Sequence, residues 1–198
     1  MKTSTACLVV IEAVGFITLG SAPSFAQTSS QPLSVQESPV KPEKNPPGDI
    51  PDDQVFIVYQ SPLGFTIKVP EGWARHQTSD NVTFSDKYNT IELAVTQHAD
   101  PLTVSSAKQK EIAELEQSGK AVRISGVKAT TLPSGSAIVV SYGSNSEPNS
   151  VTNKAIRLEN ERYFFWKAGK LVILTLSAPF GADNADQWIL MAKSFRWG

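Results

Sequence analysis

The stretch RYFFWKAGKLVILTLSA, Arg162 to Ala178, decides the fold. Two apolar runs flank Lys167-Ala168-Gly169-Lys170, a four-residue segment with hairpin-turn chemistry. In an extended chain successive side chains point to opposite faces. Tyr163 and Phe165 therefore face one way, Phe164 and Trp166 the other. Leu171 and Ile173 likewise oppose Val172, Leu174 and Leu176. Strands that are apolar on both faces belong in the middle of a sheet covered on both sides. Two helical patterns are available as covers. One starts at Thr103 or Ser105 and runs to about Gln117, with Val104, Ala107, Ile112 and Leu115 on one stripe and Ser118-Gly119 as the stop. The other spans about 183–194, with Ala185, Trp188, Ile189 and Ala192 on its stripe and Asp183 as the expected cap.

Working outward, the rest of the domain is strand-rich. Val55 to Tyr59 reads as an edge strand. Gly64 to Trp73, GFTIKVPEGW, follows with Phe65, Ile67 and Val69 alternating against Thr66 and Lys68. Pro70 ends that run, and the Trp73 ring is placed to fold back onto the core. Trp73 to His76, Val82 to Phe84, Thr90 to His98, Val122 to Leu132 and Ala137 to Tyr142 complete the strands, and residues 143–153 read as a polar loop. Fold class is thus α+β, an antiparallel sheet sandwiched between helices in an α/β/α arrangement.

The N-terminal quarter reads differently. Residues 1–26 have the pattern of a secretory signal peptide: Lys2, an apolar run from Ala6 to Leu19 interrupted by Glu12, and small residues at Ser24 and Ala26. Cleavage is expected after Ala26. Residues 27–53 carry six prolines among Ser, Gln, Glu and Lys, and read as a disordered Pro-rich linker. The folded domain is expected over 54–198, in an extracytoplasmic compartment: the periplasm, outside the cell, or the thylakoid lumen in a phototroph. Cys7 is the single cysteine and lies in the signal segment, so the exported domain relies on its apolar core.

Charge and motif exclude several classes. The 198-residue chain has 18 Lys and Arg against 19 Asp and Glu, a net charge of −1. It offers no basic field for nucleic acid and no polybasic handle for a strong membrane association after signal cleavage. There are two histidines, His76 and His98, and no Gly-x-Ser-x-Gly nucleophile elbow. His98 and Asp100 together give two metal ligands where a zinc site needs three or four. Glu159-Asn160-Glu161 and Asp52-Asp53 lack the alternating ligand spacing of a calcium loop. Gly135 and Gly143 read as turn residues, so no phosphate-binding loop is present. No catalytic residue, metal ligand or cofactor is therefore assigned. The rim of the aromatic hairpin and the 143–153 loop are the expected binding surface, represented by Ser144, Asn145, Tyr163 and Trp166.

Tyr59, Gly64, Phe65, Ile67, Pro70 and Trp73 together resemble the opening motif of PsbP-like domains. Gly135, Ala137 and Tyr142 are similar to a second family segment, and the aromatic hairpin and final helix follow in the family's order. The resemblance covers about residues 54–198. It implies an antiparallel sheet between helices and a non-enzymatic accessory role with a protein or envelope component as partner. The family includes photosystem II PsbP, a Ran-binding nuclear import factor and many bacterial secreted proteins, so a photosystem II-associated lumenal protein is one alternative. From the residues alone, a secreted hydrolase with a site assembled from scattered positions and a small-molecule carrier also stay open.

Overall fold

The computed structural model describes residues 37–198. The signal segment and residues 27–36 of the expected linker lie outside the described residues. Ten strands and three helices follow in order: β1 (Phe56–Ser61), β2 (Phe65–Pro70), β3 (Ala74–Gln77), β4 (Asn81–Asp86), β5 (Asn89–Gln97), α1 (Val104–Gln109), α2 (Glu111–Ser118), β6 (Arg123–Leu132), β7 (Gly135–Asn145), β8 (Arg157–Lys167), β9 (Lys170–Pro179), α3 (Ala185–Ser194) and β10 (Arg196–Trp197).

Seven strands form one antiparallel sheet in the order β3-β4-β5-β9-β8-β7-β6. The two-faced hairpin lies at its centre, as its patterning requires. Ala168 and Gly169 both have positive φ, 49° and 82°, the geometry a two-residue turn between twisted strands demands. One face carries Tyr163, Phe165, Val172, Leu174 and Leu176. The other carries Phe164, Leu171 and the half-buried Trp166 and Ile173. Alternation over β8 and β9 is thus preserved in three dimensions.

The covers differ from the sequence reading in three ways. The helix expected from 103 to 117 is two helices, α1 and α2, broken at Lys110, where φ and ψ are −121° and −78°. Thr103 caps α1 in a capping box with Ser106, and Ala107, Ile112 and Leu115 cover the Phe164 face. The opposite face is covered by α3 together with a separate three-stranded sheet, β1-β2-β10. The GFTIKVPEGW segment therefore lies above the main sheet and not within it. Phe65 and Phe195 stack there at 5.7 Å, and Phe195 stacks on Phe165 at 4.1 Å. On α3 the buried stripe is Trp188, Met191 and Ala192, while Ile189 is 43% exposed.

The expected linker is corrected over residues 37–53, which form a strap that makes specific contacts with the domain. Asn145 Nδ2 donates to Glu37 Oε1 at 2.8 Å and to the Ser38 carbonyl at 2.9 Å, and its Oδ1 accepts from Val40 N–H at 3.0 Å. Asn184 accepts from Ile50 N–H at 2.6 Å and donates to the Gly48 carbonyl at 3.0 Å. Ile50 is 3% exposed and joins the core. Composition alone reads this piece as a spacer because its anchors, Asn145 and Asn184, lie far away in sequence. Asp183 is not the helix cap. The N-cap is Asn184, whose side chain is spent on the strap, and Asp49 Oδ1 accepts from Asp183 N–H instead. Among the described residues no helix is long and apolar enough to cross a membrane.

Candidate functional site

β8 begins six residues before the aromatic pair Tyr163 and Phe165, and its alternation runs through them. Arg157, Glu159 and Glu161 share a face with Tyr163 and Phe165. Tyr163 and Phe165 lie under the small sheet and α3. The polar trio emerges where that cover ends, beside the turn that carries Phe180 and the first residues of α3. The result is a groove of about 560 Å³, bounded by β6, β7 and β8 on one side and by Phe180, Ala182, Trp188 and Ile189 on the other. Phe180 and Ile189 are 45% and 43% exposed, so part of the wall is accessible apolar surface.

Charge is segregated in this groove. Arg123, Gly143 and Glu159 occupy one row across β6, β7 and β8. Gly143 has no side chain, and the Arg157 guanidinium fills the space above it; a Cβ there would stand 2.5 Å from Arg157 Nη2. Arg157 is only 7% exposed. Its Nη1 donates to the Ala121 carbonyl at 2.9 Å and to Asn145 Oδ1 at 3.1 Å. Burial, and then the neighbouring charge of Arg123, lower its pKa. The carboxylates stand one strand over. Burial raises the Glu159 pKa, the Gly181 backbone amide opposes that, and the charge of Glu161 adds to it. Glu161 accepts from the Tyr163 hydroxyl, whose pKa is raised by burial and then by that hydrogen bond. Among the described residues no ion pair joins these arginines to these glutamates.

The residues expected at a binding surface are placed otherwise. Tyr163 is 6% exposed, its ring packed on Phe165. Asn145 is buried and serves the strap and Arg157. Ser144 is half-buried and accepts from Asn160 Nδ2 at 3.0 Å within a network that Ser177 closes on the opposite face. Trp166 is half-buried and its Nε1 donates to the His98 carbonyl at 2.7 Å. It lines a second, smaller groove of about 200 Å³ beside α1. Of the four, Asn145 and Tyr163 touch the charged groove, through their hydrogen bonds to Arg157 and Glu161.

His76 is exposed on β3 opposite Thr83, and His98 stands at the far end of β5. His98 Nδ1 faces the Asp100 carbonyl at 2.6 Å and Nε2 faces Glu111 Oε1 at 3.2 Å. The Asp100 carboxylate takes no part, so the two residues do not form a ligand pair. Among the described residues no group of three His, Cys, Asp or Glu side chains is placed to hold a metal ion. Sequence reasoning missed Arg157 and Phe180; it reaches Glu159 only as a rejected calcium ligand and Trp188 only on the apolar stripe of the last helix. The readable signal was the register of β8: extended back from Phe165, it puts 157, 159 and 161 on the core face.

Residues 58–170, more than half of the chain, match the family model described as the serine/threonine kinase C-terminal domain. None of the curated proteins matches. Among solved structures, cyanobacterial PsbP (CyanoP) from Synechocystis sp. PCC 6803 is similar with a TM-score of 0.53 at 14% identity, covering 76% of this chain and 98% of that one. LpqN of Mycobacterium tuberculosis, described as involved in cell envelope biogenesis, is similar at a TM-score of 0.46 and 15% identity, covering 72% of this chain and 89% of its own. PA94 of Pseudomonas aeruginosa reaches 0.44 and 11%, covering 68% and 91%. The CyanoP likeness establishes the fold as PsbP-like.

Proposed function

We propose that this chain, which belongs to the serine/threonine kinase C-terminal domain family, is a non-catalytic extracytoplasmic binding module that recognises a protein or envelope component through the charged groove. The family description names the C-terminal domain of a serine/threonine kinase. The PsbP-like fold is compatible with an accessory role. The extracytoplasmic location rests on the signal-like pattern of residues 1–26.

One observation carries the reading. The groove combines exposed apolar wall, Phe180 and Ile189, with buried or half-buried charge that has no ion-pair partner among the described residues. Neutral, filled surfaces have no such demand, whereas binding sites combine apolar lining with a few fixed polar groups.

Site-specific photo-crosslinking in the producing cell tests it. A crosslinking side chain at position 189 should capture a discrete partner, and the same group at Val151, which is 89% exposed on the 146–156 loop, should not. Equal capture from both positions, or none from 189, would refute the groove as the binding surface.

A further inference from the structure

The charge arrangement within the groove specifies a ligand class, an inference that rests on reading the groove as a binding site. Arg157 is more than nine-tenths buried, yet only its Nη1 has hydrogen-bond partners, the Ala121 carbonyl and Asn145 Oδ1. A guanidinium carries five donors. Its remaining donors meet no acceptor among the described residues and open onto the groove, and no carboxylate lies within ion-pair distance. Arg123 lines the same cavity and adds a second positive charge instead of neutralising the first. Guanidinium donors that open onto the groove without a protein acceptor are free to take a ligand anion in charge-assisted hydrogen bonds.

The opposite demand stands one strand away. Glu159 and Glu161 are separated by two residues on one face, roughly 7 Å. They have no cation partner among the described residues. Burial and mutual repulsion already raise the Glu159 pKa, and a ligand cation would relieve both. The cations lie over β6 and β7 and the anions over β8, so the two demands are about one strand spacing apart, roughly 5 Å. A ligand of single charge satisfies one end and aggravates the other. A small zwitterion satisfies both. Facing it, Trp188 and Ile189 offer an apolar wall. A cavity of about 560 Å³ falls within the usual small-molecule range of roughly 300–1,000 Å³.

We propose that the groove is a receptor for a free α-amino acid with a branched or aromatic side chain. Its carboxylate faces Arg157 and Arg123, its ammonium faces Glu159 and Glu161, and its side chain packs on Trp188 and Ile189. The α-carbon joins the two charged groups through a single tetrahedral centre, matching their close placement in the groove.

Amide NMR of the full chain tests this with leucine and phenylalanine as probes. Two comparators remove one charge each from leucine: isoamylamine lacks the carboxylate, and isocaproate lacks the ammonium. Leucine or phenylalanine should shift the amides of Gly143, Glu159, Gly181 and Trp188 saturably, and each comparator should bind at least about tenfold more weakly than leucine. Arg123→Gln and Glu161→Gln should each weaken binding by about tenfold. These positions are preferred to Arg157, whose removal would also release Ala121 and Asn145. No saturable shift at about 10 mM of either amino acid, comparators that bind as well as leucine, or shifts confined to another surface would overturn the proposal. A partner captured at position 189 together with a spectrum unmoved by either amino acid would refute the ligand class and leave the binding module standing.

Discussion

Oδ1 of Asn145 accepts from Arg157 Nη1 at 3.1 Å and, at the same time, from Val40 N–H at 3.0 Å. One amide oxygen therefore ties the N-terminal strap to the guanidinium that floors the groove. Asn145→Ala should loosen both. Loss of a buried hydrogen-bonding group costs about 1–3 kcal/mol. Trypsin should then cut after Lys44 faster than in the wild type, while the domain beyond residue 54 persists. An unchanged cleavage rate would mean the strap is held by other contacts.

Asn184 is the second anchor, 1% exposed, bonded to Ile50 N–H, the Gly48 carbonyl and Asn89 Oδ1. Asn184→Ala leaves the Ile50 donor unpaired next to the core. Urea unfolding should show a loss of about 1–3 kcal/mol. Asp183→Ala, whose backbone and not its side chain makes the contact to Asp49, should cost far less.

Phe195 is fully buried and stacks on both Phe165 and Phe65, joining the main sheet to the small one. Phe195→Ala should lower stability by about 3–5 kcal/mol, as large-to-small changes in close-packed cores do. Phe195→Leu should recover part of it. A melting curve insensitive to both would refute the inter-sheet packing.

Glu159 sets a pH dependence of known sign. Its folded-state pKa is raised, so between the ordinary carboxyl value and the raised one the folded state binds more protons than the unfolded chain. Stability must fall as pH rises through that interval, and the penalty is complete above it. Glu159→Gln should therefore raise Tm at neutral pH and leave it nearly unchanged in acid. The difference between the two proteins, plotted against pH, is the readout. A flat difference would show that the Glu159 carboxyl carries no burial cost.

The hairpin from Arg162 to Ala178 revealed the sheet because its pattern is local: each residue's face follows from its neighbours. The second sheet was hidden for the opposite reason. GFTIKVPEGW reads as a half-buried strand wherever it sits, and its partner β10 is two residues long and far along the chain. The strap was hidden because proline content reports backbone preference and says nothing of distant asparagines that grip it. Tyr163 was expected on a surface because its ring could serve either role, and burial under α3 decides. The groove takes Arg157, Glu159 and Glu161 from β8, Arg123 from β6 and its apolar wall from residues 180–189, three regions brought together only by tertiary packing. Asn145 was named from sequence, but as a contact surface and not as the link between strap and guanidinium.

The small sheet has a consequence for the order in which the domain assembles. Thr66 pairs with Arg196, Phe65 with Trp197, and Gly198 N–H reaches the Gly64 carbonyl. β5, likewise, waits for β9 to form the central ladder. A nascent chain that has emerged through β8 therefore owns neither its central pairing nor the third strand of its upper layer. Such distant closures slow maturation and leave apolar edges open meanwhile. The half-made domain keeps those edges unpaired until residues 196–198 dock on β2 and Gly64.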